Sequence, residues 1–248
     1  MKKIRYLISC LASFGFLFFP FSPESISENF QFQNFSEFHQ KEDVIIIFNS
    51  GGWGNTPLKE AEDFAPIIKG VQETLASLGY NSLVVPYKRT KDGFLGKVEG
   101  MRDLLNSFNF SSQSLVKEIE FLREKFPDAK IIVAGLSSGA ALAEETMKNI
   151  SQISQIYAIE LGIPFWIDKS ETENILRLDN HKKDSLVVGK KKVLLTSFIK
   201  SPFRWVYSKI NGEELAFSET IQAPGHEYFW SSPEVGPQIT AFLENKFR

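Results

Sequence analysis

Val44-Ile45-Ile46-Ile47-Phe48 is the stretch that most limits what this chain can fold into. Successive side chains of a strand point to opposite faces, so five apolar residues in a row suit a strand buried on both sides. Further strands are expected at Ser82–Pro86, Lys130–Ala134, Gln155–Ile159, Asn174–Leu178 and, last, Phe217–Gln222. Between them lie helical patterns. Thr56-Pro57 opens one that runs to about Leu78 and stops at Gly79, with Thr56 as N-cap and Pro57 in the first turn. Ser112–Phe126 repeats Leu115, Ile119 and Leu122 at helical spacing, Gly139–Asn149 is rich in Ala, and Pro237–Phe247 ends the chain. Residues 88–111, with Gly93, Gly96 and Gly100, read as a long excursion. Alternating strands and helices imply an α/β fold: a mostly parallel central sheet with helices on both faces.

A length of 248 residues suits one such domain with a large core. Residues 44–248 are assigned to it, 23–43 to a linker, and 1–22 to a targeting segment. Within the linker, Phe30 and Phe32 alternate with polar residues and suggest a strand over Asn29–Phe35. A net charge of -2, with its short basic clusters set among acidic residues, gives no reason to expect nucleic acid.

The N-terminus runs Met1-Lys2-Lys3-Ile4-Arg5 and then stays apolar from Tyr6 to Phe21. A basic start followed by an apolar run marks an export signal, or an uncleaved membrane anchor given its length. The expected location is therefore periplasmic, membrane-anchored or secreted, with membrane attachment through this segment as one outcome. The single cysteine, Cys10, lies inside the run, so the domain has no disulfide. Leu7-Ile8-Ser9-Cys10 resembles the lipobox of bacterial lipoproteins, which would imply lipidation of Cys10. It departs from that pattern because most of the apolar run follows the cysteine.

Gly135-Leu136-Ser137-Ser138-Gly139 joins the strand at 130–134 to the Ala-rich helix. A serine nucleophile must be held clear of the sheet edge on a sharp turn, and small residues two before and two after it relieve the crowding there. Ser137 also stands at a helix N-terminus, where free N–H groups favour a developing anion. Ser137 is thus the candidate nucleophile, and the Ser138 N–H the expected oxyanion donor.

On these residues the chain resembles the α/β-hydrolase family, from about residue 44 to 247. The resemblance implies a Ser-Asp-His triad in the chain order nucleophile, acid, histidine. In that family a loop after an early strand, often His-Gly-x-Gly, supplies a second oxyanion N–H. The matching segment is Gly51-Gly52-Trp53-Gly54, which assigns that N–H to Trp53 and flanking binding roles to Gly52 and Gly54. Gly51 stands where the family has His. Of the three histidines, His226 in Pro224-Gly225-His226-Glu227 occupies the family position of the base. Asp184-Ser185-Leu186-Val187 resembles the family's Asp-Pro-Leu-Val and makes Asp184 the acid, with Asp179 its rival and Asp168 and Glu160 behind them.

The chemistry implied is cleavage of a carboxylic ester, with a small-molecule ester or lipid as substrate. Thioesterase, amidase and acyltransferase activities use the same triad, and a non-catalytic binding or envelope-associated member of the fold is the rival from another class. No zinc-ligand spacing, phosphate-binding Gly-Lys loop or dinucleotide fingerprint occurs, so no metal or cofactor is expected. Apolar residues in 88–111 and in 195–210 are candidates to line an acyl pocket or a small lid.

Overall fold

In the computed structural model the described residues are 31–34, 42–150, 154–190, 193, 207, 211 and 223–248. Five strands form one all-parallel sheet: β1 (Val44–Asn49), β2 (Ser82–Tyr87), β3 (Lys130–Leu136), β4 (Ile156–Leu161) and β5 (Ile175–Leu178). Their order is β2-β1-β3-β4-β5. The helices are α1 (Ala65–Ser77), α2 (Gly93–Leu105), α3 (Asn109–Lys125), α4 (Ser138–Asn149), the single turn α5 (Ser185–Val188), and α6 (Gly236–Phe247). The fold is α/β, as expected.

Every residue of β1 is buried. Ile45 and Ile47 face a core built with α3 and α4, including Leu115, Ile119 and Leu142. Val44, Ile46 and Phe48 face a second core with α1 and α6, including Ile67, Leu75, Ile239 and Leu243. That two-sided burial is why the run carries no polar alternation. Pro86 lacks an N–H and is tolerated because β2 is an edge strand.

The strand order reverses direction between β1 and β3. Connections from the two strands leave to opposite sides there, which opens a crevice at their carboxyl ends. The register sets Asn49 opposite Gly135, so the Gly-rich loop after β1 and the turn after β3 emerge side by side.

Six expectations need correction or fall, wholly or largely, outside the described residues. The segment at 31–34 is a 3-10 turn, not a strand. Glu118 of α3 accepts the N–H groups of Gln31 and Phe32, and the Phe32 ring enters the core. The helix expected from Thr56 is broken. A short 3-10 turn covers Leu58–Glu60, and α1 starts only at Ala65, where Pro66 fits the first turn. The excursion at 88–111 contains α2 and the start of α3. The strand expected at 217–222 lies outside the described residues, as do the N-terminal segment with Cys10 and nearly all of 195–210. Among the described residues, no helix is long and apolar enough to cross a membrane.

Behind β4 lies a buried charge cluster. Arg177 Nε donates to Glu144 Oε2 at 2.8 Å and to Glu160 Oε2 at 3.1 Å, and the Ser170 N–H donates to Glu144 Oε1 at 2.6 Å. Burial would raise the Glu144 carboxyl, but its bonds from Ser170 and Arg177 hold it low. Glu160 goes the other way, pushed well above the ordinary glutamate value by burial first and the Glu144 charge second. A raised folded pKa stabilises the fold at low pH, and that contribution is lost as pH climbs through the folded value. Glu160→Gln keeps a donor toward Glu144 and cannot ionise. Urea unfolding from about pH 5 to about pH 9 should show wild type losing stability with rising pH and the variant losing less. Equal slopes would contradict this account.

Candidate active site

Ser137 is the N-cap of α4, with φ 56° and ψ −115°. A residue with a Cβ seldom adopts such a backbone, and holding it costs about 1–3 kcal/mol. The surroundings enforce it. A Cβ on Gly135 would lie 2.3 Å from the Gly139 carbonyl oxygen, and one on Gly139 would lie 2.3 Å from the Asn49 carbonyl oxygen. Only glycines at both places let α4 start this close to the sheet. The Ser137 hydroxyl does not cap its own helix. Its N–H donates to the Leu161 carbonyl at 2.8 Å, which ties the turn to the end of β4.

Asp184 and His226 come from two separate loops that are laced together. The Ser185 N–H donates to the Pro224 carbonyl at 3.0 Å, and Asn180 Nδ2 donates to the Gly225 carbonyl at 2.9 Å. This sets His226 Nδ1 2.6 Å from Asp184 Oδ2. The same oxygen accepts from the Tyr228 hydroxyl at 2.7 Å. The other, Oδ1, accepts the N–H groups of Leu186 at 2.8 Å and Val187 at 3.3 Å, so Asp184 also caps α5. Burial alone would raise the Asp184 pKa. Bonding to His226 and the charge there outweigh it, and with Tyr228 and the Leu186 N–H they hold the carboxyl below its ordinary value. Burial, then the facing carboxylate, push the Tyr228 phenol up, so it stays a donor. An ionised carboxylate only accepts, so His226 carries a proton on Nδ1, directed at Asp184.

Gly162 joins this pair to Ser137. It follows Leu161, whose carbonyl holds the Ser137 N–H, and a Cβ on it would lie 2.5 Å from His226 Cε1 and 3.0 Å from Tyr228 Cε2. The imidazole is thus packed on the Cα of Gly162, whose own N–H shares a peptide with the carbonyl that holds Ser137. Glu160 faces Arg177 and Glu144, Asp168 is exposed, and Asp179 heads the 3-10 turn Asn180–Lys182.

The Gly-rich loop lies on the other side of Ser137. A Cβ on Gly51 would lie 3.2 Å from the Leu136 carbonyl oxygen and 3.7 Å from Ser137 Cβ. Ser138 Oγ donates to the Gly52 carbonyl at 2.7 Å. Among the described residues, no acceptor takes the Trp53 N–H, and the Ser138 N–H belongs to the first helical turn, which has no intrahelical acceptor.

Sequence reasoning missed Tyr228, Gly162 and Arg89, the last of which donates to the Gly52 carbonyl. Each acts through a contact distant in sequence. The available signals were a tyrosine two residues after the histidine, a glycine directly after a strand, and an arginine just past the strand next to the Gly-rich loop. Among the described residues, no cluster of three or more His, Cys, Asp or Glu is placed to hold a metal.

No protein-family model matches this chain, and no curated protein matches it. Among solved structures it is similar to a Trichoderma reesei cutinase in complex with a C11Y4 phosphonate inhibitor. The TM-score is 0.40 and the identity 14% over 54% of this chain, which spans 59% of that cutinase chain.

Gly162→Ala adds a methyl group against the imidazole and strains a backbone at φ +64°. Wild type should give a far-downfield proton resonance from His226 Nδ1–H, as expected for a short bond to a carboxylate. The variant should fold, as read by circular dichroism, and lose that resonance. An unchanged resonance would contradict the packing described.

Proposed function

We propose that this chain is a serine hydrolase of the α/β-hydrolase type, cleaving a carboxylic ester through an acyl-enzyme with Ser137, His226 and Asp184. The observation that carries this reading is the Asp184–His226 pair packed on Gly162, the residue bonded to the Leu161 carbonyl that holds the Ser137 N–H.

A serine hydroxyl is a weak nucleophile at neutral pH and needs a base beside it. His226 Nε2 takes the Ser137 proton as Oγ bonds to the acyl carbon. The carbonyl oxygen becomes an oxyanion, held by the N–H groups of Trp53 and Ser138. The imidazolium then returns its proton to the leaving alcohol as the ester bond breaks. Water repeats the sequence on the acyl-enzyme and releases the carboxylic acid. Asp184 orients the ring and stabilises the imidazolium without taking a proton. Its depressed pKa suits that role, because a carboxylate that stays ionised keeps Nδ1 protonated.

An apolar acyl group is the substrate class we infer. Trp53 follows β1, and Phe165 and Trp166 follow β4, at the same end of the sheet as Ser137, and all three are exposed. Phe165 and Trp166 stack edge to face with centroids 5.1 Å apart.

Steady-state hydrolysis of p-nitrophenyl esters of increasing chain length tests both parts. Ser137→Ala and His226→Ala should each lower kcat by about 10⁴-fold or more, and Asp184→Asn by about 10⁴-fold. Wild-type rates in Ser137→Ala would remove the hydrolase reading. Preference for acetate over longer acyl chains would remove the apolar-acyl part alone.

A further inference from the structure

Three consecutive carbonyls of the Gly-rich loop are held by Arg89 and Thr90, just past the end of β2. Arg89 Nη2 donates to the Gly52 carbonyl at 2.7 Å, Thr90 Oγ1 to the Trp53 carbonyl at 2.8 Å, and the Arg89 N–H to the Gly54 carbonyl at 2.8 Å. The same guanidinium reaches the turn after β3. Nη2 donates to Ser138 Oγ at 3.1 Å, and Nη1 to the Ser138 carbonyl at 3.3 Å. Ser138 Oγ closes the ring by donating to the Gly52 carbonyl. One side chain therefore ties together both segments that carry the oxyanion donors.

Arg89 is itself fixed. Its Nε lies 3.1 Å from Asp103 Oδ2 of α2, with both side chains under a tenth exposed. The contact is ionic rather than an aligned hydrogen bond. The guanidinium carbon sits 5.0 Å from the centroid of the Phe108 ring. An arginine this enclosed cannot reach a substrate, so its effect on chemistry runs through the groups it holds.

The Gly52 carbonyl and the Trp53 N–H belong to one planar peptide. Pinning the carbonyl pins the direction of the N–H. Oxyanion stabilisation depends on donors aimed before the charge develops, so that none of its benefit goes into reorganising the loop. We propose that Arg89 is a positioning residue for the oxyanion hole, preorganising the Trp53 N–H by clamping the Gly52 carbonyl to Ser138. The proposal rests on the serine-hydrolase reading.

The test uses the full chain with p-nitrophenyl butyrate, a trifluoromethyl ketone as oxyanion-forming inhibitor, and a fluorophosphonate probe. Arg89→Lys keeps the charge but loses the two-pronged grip, Arg89→Met loses both, and Ser138→Ala removes the bridging hydroxyl while keeping its N–H. We expect kcat to fall about 10- to 100-fold in Arg89→Met and less in Ser138→Ala and Arg89→Lys, with KM within about threefold of wild type. Affinity for the ketone should fall in parallel with kcat/KM across the series, which a merely structural role would not produce. If Arg89→Met does not fold, Arg89→Lys and Ser138→Ala carry the same comparison. Folded variants with wild-type kcat and ketone affinity, or a change confined to KM, overturn the proposal. Wild type that fails to react with the fluorophosphonate overturns the hydrolase reading instead. Wild type and variants that react at equal rates overturn the clamp alone.

Discussion

The pairing of β1 with β3, Asn49 opposite Gly135, is the constraint on which the rest of the site depends. It brings two strand ends to one edge at the point where the strand order reverses, and it does so at very short range. The start of α4 passes so close to the Asn49 and Ser50 carbonyls that a methyl group on Gly139 has no room. That closeness forces Ser137 into its strained backbone and turns it out of the sheet. A larger residue at 135 or 139 would release the strain by moving α4, and the Gly-rich loop would lose the surface it rests on.

Around this frame several charges are buried among the described residues, and three of these sites strike different balances. Asp184 gains more from its four donors than burial takes away and stays ionised. Glu160 is buried beside the Glu144 charge, and Arg177, which they share, does not offset that, so Glu160 holds its proton more tightly. Arg89 and Asp103 pair in a nearly dry setting next to the Gly-rich loop. A buried pair of this kind is weak evidence for stability, since desolvation cancels much of the attraction. Its value lies in fixing geometry, and the groups it fixes are the carbonyls that orient Trp53.

Much of this was legible in the residues. Unbroken apolar runs at 44–48 and 130–134 announced two-sided strands, and the glycines around Ser137 announced a turn with no space for side chains. Asp184 and Asp179 stay open on sequence, because which carboxylate meets His226 depends on how two loops lace together. The hydrogen bonds from Ser185 to Pro224 and from Asn180 to Gly225 bring Asp184 there. Helix α2 was missed because Gly93, Gly96 and Gly100 argue against a helix by propensity. In the structure Gly96 and Gly100 form a packing face. Gly100 lies against the Trp53 ring, and a Cβ on Gly96 would run into the Lys91 carbonyl. The turn at Gln31–Asn34 was missed for a related reason. Its alternation of Phe with polar residues mimics a strand, while Glu118, 86 residues further along from Phe32, supplies the acceptors that make it a turn.

The serine-hydrolase reading proposed above makes Ser137, and not its neighbour Ser138, the nucleophile. Peptide mapping by mass spectrometry after reaction with a fluorophosphonate tests this most directly. One phosphonylated site is expected, on Ser137, because Ser138 Oγ is committed to Gly52 and Arg89. An adduct on Ser138, or none on the segment 135–139, would contradict it.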